Sequence, residues 1–169
     1  LAGARLLLEG VVAVRSRSLP ADHPLLQSAR NNLAAVLAEQ GDYAAASSLQ
    51  QQVVAVMDRV LPAEHPQRSK AHENLAVTLA ARGDVATALP MFAELAAQRA
   101  RTLPADHPDL FAARVNLASA QSQSGDAAAA RATLTAALAG VGDALAPSDA
   151  LRTRALAELV RLEATADTD

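Results

Sequence analysis

The chain has 169 residues, 51% of them hydrophobic but only 2% aromatic, and its 15 basic and 18 acidic side chains leave a formal net charge of −3. It contains no cysteine, which excludes disulfides, thiolate metal sites and a cysteine nucleophile within these residues, and it has no basic footprint for nucleic acid. No apolar run reaches the about 18 to 20 residues that cross a bilayer, and no charged start with an apolar core resembles a signal peptide, so a protein with no membrane partner, of cytoplasmic location, is expected.

Residues 1–18 lack an initiating Met and align without gaps on residues 43–60, with Ala4 on Ala46, Val11 and Val12 on Val53 and Val54, Val14 on Val56 and Arg17 on Arg59. A helix is expected over this stretch. Next comes Leu19-Pro20-Ala21-Asp22-His23-Pro24, which recurs as Leu61-Pro62-Ala63-Glu64-His65-Pro66 and Leu103-Pro104-Ala105-Asp106-His107-Pro108, at starts separated by 61 − 19 = 42 and 103 − 61 = 42 residues. A fixed period in the range of about 20 to 50 residues indicates stacked repeat units rather than one globular core, and favours a binding surface over a catalytic cleft.

After each connector the pattern is that of a helix pair. From Pro24 to Gln40, Leu26, Ala29, Leu33, Ala34, Val36 and Leu37 recur at spacings of three and four, the period of an amphipathic helix. Pro24 suits the first helical turn, where its missing N–H costs nothing, and Asp22 or His23 is placed to cap. Gly41 supplies a left-handed stop and Asp42 a cap for a second helix near residues 43–59, with Ala46, Leu49, Val53, Val54 and Val56 turned inward. That helix ends at Leu61-Pro62, because proline cannot continue it, and Arg17, Arg59 and Arg101 each fall in a last turn, where a cation complements the helix dipole. Asn32-Leu33-Ala34 returns as Asn74-Leu75-Ala76 and Asn116-Leu117-Ala118, and Gly41-Asp42 returns as Gly83-Asp84 and Gly125-Asp126, all in one phase.

The resulting division is a second helix of a truncated preceding repeat over 1–18, repeats over 19–60, 61–102 and 103–144, a degenerate C-terminal capping helix over 145–165, and a frayed tail over 166–169. Leu145-Ala146-Pro147-Ser148-Asp149 reads as a decayed connector before a last helix over 152–163 carrying Leu156, Leu159, Val160 and Leu162. Terminal repeats are usually atypical because they cap the stack. The start out of phase predicts a piece of a longer protein. Lys70 is the sole lysine in an Ala- and Arg-rich chain, a composition that points to a GC-rich bacterial genome.

Chemistry-bearing patterns are sparse. His23, His65 and His107 occur once per repeat, about 10–20 Å apart in stacked helix pairs, whereas a zinc ion needs every ligand within about 2 Å, so a helix-start role is expected and no metal. His72-Glu73 lacks a second histidine four residues on, and neither a Gly-rich phosphate loop nor a nucleophile elbow is present. Glu39 and Glu73 are expected to be solvated helix faces. No catalytic residue and no cofactor is expected.

His23-Pro24, Asn32-Leu33-Ala34, Gly41-Asp42-Tyr43 and Ala46 together resemble the 42-residue tetratricopeptide repeat (TPR) of the kinesin-light-chain type. The resemblance covers essentially the whole chain and implies an all-α, right-handed α-solenoid of antiparallel helix pairs, a TPR superhelix of about eight helices. Ala34, Ala76 and Ala118, with Ala46, Ala88 and Ala130, match the family's positions of closest helix approach, whereas Gln121 departs from Leu37 and Leu79 in the large-residue slot.

In that family the first helix of each repeat lines a concave groove that holds a peptide, and Asn32, Asn74 and Asn116 match asparagines that bond the peptide main chain. An amide offers donor and acceptor together, so such a ladder can satisfy an extended backbone; the alternative is that these asparagines tie neighbouring repeats together. Ser28, Asn31, Lys70, Glu73 and Ser119 complete the candidate peptide-binding set, with Glu39, Val77, Val115 and Gln123 as further groove positions. The set that clamps a partner's terminal carboxylate is not matched, since only Asn74 fits it. The expected function is a non-catalytic protein–protein interaction module of a bacterial regulatory or sensor protein, binding a peptide, a partner domain or a missing effector domain of the same protein. The alternative is a scaffold, spacer or oligomerisation segment of a multidomain enzyme, a caspase-like protease or signalling NTPase, whose catalytic domain lies outside this chain.

Overall fold

The repeated His-Pro pair writes each helix start in the same way. In the structure, a computed structural model that describes residues 2–146 and 148–166, His23 Nδ1 accepts the Leu25 N–H at 3.2 Å, His65 Nδ1 that of Gln67 at 3.2 Å and His107 Nδ1 that of Asp109 at 3.1 Å, while the proline takes the first helical position. Histidine rather than the neighbouring aspartate is therefore the cap, and Asp22 instead lies 3.5 Å from Arg59. Eight α-helices and no strand occur among the described residues: α1 (Ala2–Ser18), α2 (Pro24–Glu39), α3 (Tyr43–Val60), α4 (Pro66–Ala81), α5 (Val85–Thr102), α6 (Pro108–Gln123), α7 (Ala127–Val141) and α8 (Ala150–Ala166). The helix expected over 152–163 thus begins two residues sooner and continues to Ala166; residues 167–169 and Pro147 lie outside the described residues.

Two units divide the chain, Leu1–Asp84 and Val85–Asp169. In the first, α1 packs on α2, α2 on α3 and α3 on α4. Its core holds Leu33, Ala34, Leu37 and Ala46, with Leu8, Val12 and Leu49 against them. The turn between α2 and α3 is set by Gly41 at φ 81°, and Asp42 Oδ1 accepts the Ala45 N–H at 3.1 Å. Leu49, Val54 and Val56 are half-buried rather than fully inward, while the polar side chains of Gln27, Ser47 and Gln50 on α2 and α3 are buried. Gln27 Nε2 donates to the Ala21 carbonyl at 2.6 Å, which fastens the connector to the helix that follows it. Arg15 Nη1 reaches the Leu25 carbonyl at 2.7 Å in the same way. The matching contact in the second unit is Arg99 Nη1 to the Asp109 carbonyl at 3.3 Å, so the arginines that bind the helix starts lie two residues before Arg17 and Arg101.

Asp58 on α3 receives hydrogen bonds from Arg68 Nε at 2.6 Å and pairs with His72 Nε2 at 2.7 Å, both on α4. Partial burial opposes its ionisation, but the bonds and charges of His72 and Arg68 outweigh this and hold its carboxyl below the usual carboxylate value. The folded form therefore favours the carboxylate, and the benefit is present above the unfolded value near about 4 and disappears as pH falls through the folded one. Asp58→Asn should cost under about 1 kcal/mol at neutral pH, as befits a partly exposed pair, and the difference from the parent should vanish in urea melts at strongly acid pH.

In the second unit, α5 packs on α6, α6 on α7 and α7 on α8. The core is larger and more apolar: Phe111, Val115, Ala118, Ala130, Leu134, Ala137, Val141, Ala155 and Leu162 form one buried cluster. Small residues at Ala118 and Ala130, both fully buried, let α6 and α7 approach closely. Gln121 keeps its place in the large-residue slot by accepting the Thr133 hydroxyl at 2.9 Å across the pair. Pro90 sits inside α5 without ending it, because its missing donor falls on an exposed turn. Asp126 caps α7 through the Ala129 N–H at 2.9 Å, and Asp149 caps α8 through the N–H groups of Leu151 and Arg152 at 2.9 and 3.1 Å. Arg152 Nη1 closes the α7–α8 connection by donating to the carbonyls of Gly142 and Leu145 at 2.6 and 2.8 Å.

Candidate functional site

The candidate positions all lie on first helices of the repeat pattern, but they differ in what surrounds them. On α2, Ser28 and Asn32 are exposed and Asn31 is half-buried. Asn31 Oδ1 and the buried Gln50 Oε1 receive no hydrogen bond among the described residues. Two periods on, the same positions hold Val115 and Leu134, since 31 + 84 = 115 and 50 + 84 = 134, so this part of the repeat changes from amide to aliphatic along the chain.

On α4, Lys70 is exposed and Asn74 half-buried. Glu73 corrects the expectation of a solvated face: it is 8% exposed, and its carboxylate lies 3.2 Å from Lys70 Nζ. A carboxylate at that depth is tolerated because it is paired. Glu39 is exposed as expected.

On α6, Asn116 and Ser119 are half-buried, and here the residues converge. Val115, Ser119, Ser122 and Gln123 of α6, Leu134 of α7 and Arg154, Glu158 and Arg161 of α8 line one cavity of about 350 Å³. Its floor is apolar, from the buried Val115 and Leu134, and its rim is polar. Arg154 Nη2 donates to Asn116 Oδ1 at 3.4 Å. Gln123 Nε2 donates to Ser119 Oγ at 3.3 Å. Arg161 is held by Glu158 through two bonds of 2.6 and 2.9 Å and donates to Ser122 Oγ at 2.8 Å. The hydrogen bonding of Arg161 keeps the Glu158 carboxyl below its usual value, against the opposing effect of burial.

Three of the groove positions read from the sequence, Val115, Ser119 and Gln123, thus share one cavity, and Asn116 adjoins it. Arg154, Glu158 and Arg161 are not signalled by the sequence pattern, because the degenerate connector before them marks the last helix only as a cap. The period would have found Arg154: 70 + 42 = 112 and 112 + 42 = 154, so it stands in phase with Lys70 and Ala112. Among the described residues no group of three or more His, Cys, Asp or Glu side chains could hold a metal ion, and no helix is long and apolar enough to cross a membrane.

Helix hairpins of one period, each packed on its sequence neighbours within its unit, define the class of helical repeat proteins. The family model of the tetratricopeptide repeat matches residues 25–95 and 67–141, and the chain belongs to that family. It is similar, at 29% identity and a TM-score of 0.86, to a Podosopora anserina protein described as a kinesin light chain with nearly identical TPR-like repeats, over 99% of this chain and 79% of that one. It shares its fold with BtubC (BKLC) from P. vanneervenii, at 17% identity and a TM-score of 0.81 over 98% of this chain and 66% of that one. The same holds for the Yersinia enterocolitica type III secretion translocator chaperone SycD, at 20% identity and a TM-score of 0.60 over 80% and 89%. No curated protein sequence matches the chain. The tetratricopeptide fold suggests a protein–protein interaction module, and proteins of this kind are typically non-catalytic scaffolds.

Proposed function

We propose that the chain is a non-catalytic module that holds an extended peptide, or an extended segment of a partner domain, along the first helices of its repeats. The observation that carries this reading is the cavity of about 350 Å³ between α6, α7 and α8, with an aliphatic floor and a rim of hydroxyl, amide and guanidinium groups. Such a lining suits one partner side chain, while Asn32, Asn74 and Asn116, on the equivalent helices, suit its main chain. Changing all three to Ala should weaken binding to a library of random extended peptides by about tenfold or more, since each lost hydrogen bond counts for roughly 0.5–1.5 kcal/mol. Helix content by circular dichroism should stay unchanged. Loss of helix on making the triple change would mean that the asparagines are structural ties, a role that the Arg154 bond favours at Asn116 in particular.

The finer setting that fits is a bacterial regulatory or sensor protein in which the module recruits a partner or contacts an effector domain. A spacer role beside a caspase-like protease or signalling NTPase is the competing setting. A protease or NTPase motif in the flanking reading frame would decide for the second.

A further inference from the structure

The cations in phase with one another along the repeat have different fates. Lys70 is answered three residues on by the buried carboxylate of Glu73, at 3.2 Å. The next position in phase is Ala112, which carries no charge. Arg154, one period further, is exposed and, among the described residues, has no carboxylate within ion-pair distance and makes one side-chain hydrogen bond, of 3.4 Å to Asn116 Oδ1. The carboxylate nearest to it in sequence on the cavity side, Glu158, is engaged by Arg161 instead. The rim thus combines a guanidinium with spare donors, the hydroxyl of Ser119, and an aliphatic floor two side chains wide.

We infer that this cavity reads charge: it takes an acidic side chain of the bound peptide, whose carboxylate lies against Arg154 and the Ser119 hydroxyl while its methylenes, or an adjacent aliphatic residue, cover Val115 and Leu134. The inference rests on the peptide-binding reading and names the partner as an acidic, extended segment. A guanidinium offers planar paired donors that match a carboxylate, and a partly enclosed, aliphatic-floored site strengthens the contact relative to open solvent. Glu158 acts as the internal competitor, since it neutralises Arg161 on the same rim.

The test uses the isotope-labelled chain and two probes, acetyl-Ala-Glu-Leu-Glu-Ala-amide and its counterpart with Gln at both Glu positions, followed by amide shifts in NMR titration. The Glu peptide should move the signals of Ser119, Ser122, Gln123 and Arg154 and bind about tenfold more tightly than the Gln peptide, as expected for a charge-assisted hydrogen bond, with a preference that fades as salt is raised. Arg154→Gln should abolish the preference, Arg101→Gln, at an exposed arginine that pairs with Glu94 on α5, should leave it intact, and Glu158→Gln, by freeing Arg161, should enlarge it. Equal binding of both peptides, with sensitivity to the asparagine triple change, would overturn the charge inference and leave the peptide-binding reading standing. Absence of shifts from either peptide at these residues overturns the inference as well, and insensitivity of every peptide to the asparagine change would remove the underlying reading.

Discussion

Phe111→Ala is expected to lower the stability of the second unit by about 3–5 kcal/mol, the usual cost of removing a buried aromatic side chain. Phe111 is 1% exposed and belongs to the cluster that joins α6 to α7 and α8 through Val115, Leu134, Val141 and Leu162. The cost has two parts, the lost transfer of the ring from water and the void that helices pinned by Ala118 and Ala130 cannot close. In a stack of helix pairs that contact mainly their neighbours, the loss should show as earlier urea unfolding and as faster hydrogen exchange in α6, α7 and α8. Phe111→Leu should recover most of it, since volume-conserving apolar changes usually cost under about 1.5 kcal/mol. An unchanged urea midpoint for the Ala variant would refute the central place of this ring.

Gly83→Val is the second large expected effect. Gly83 adopts φ +91°, yet an added Cβ would meet nothing within 4 Å, so the penalty comes from backbone conformation alone. A left-handed residue with a side chain costs about 1–2 kcal/mol, and β-branching adds to it. The turn is otherwise tightly bonded, with Gly83 N–H to the Ala80 carbonyl at 3.0 Å and Asp84 N–H to the Leu79 carbonyl at 2.9 Å, so it has little freedom to adopt another shape. Thermal melts should rank the parent above Gly83→Ala and both above Gly83→Val. Identical melting of all three would remove the left-handed assignment.

The fold was legible because its punctuation is redundant. Pro at the first helical turn, Gly at the left-handed stop and Asp at the next cap each act through local backbone chemistry, and each recurs in one phase, so a single misleading residue such as Pro90 could not mask the helix around it. Burial was less legible. The position of Phe111 holds Ser69 one period before and Gln27 two periods before, and Gln27 is fully buried through a bond to a connector carbonyl that no hydropathy pattern announces. Glu73 is hidden for a similar reason, since its carboxylate is answered by a lysine three residues before it, a pairing that no hydropathy pattern announces.

The candidate site divides along the same line. Val115, Ser119 and Gln123 were found by phase because α6 lies in a repeat with an intact connector. Arg154 and Arg161 were not, because Leu145-Ala146-Pro147-Ser148-Asp149 has lost the His-Pro mark and Asp149 does the capping in its place. The cavity is a product of three helices, and the charge on its rim belongs to the one whose phase had been obscured.

The open space around Gly83, with Gly41 and Gly125 in the same conformation and equally unobstructed, makes handedness the whole of the requirement at these turns. Size is not being selected there. A mirror-image alanine, whose preferred backbone angles are those the turns already hold, would fit where its natural counterpart is strained, and by narrowing the freedom of the unfolded chain it would make each hairpin firmer than glycine does.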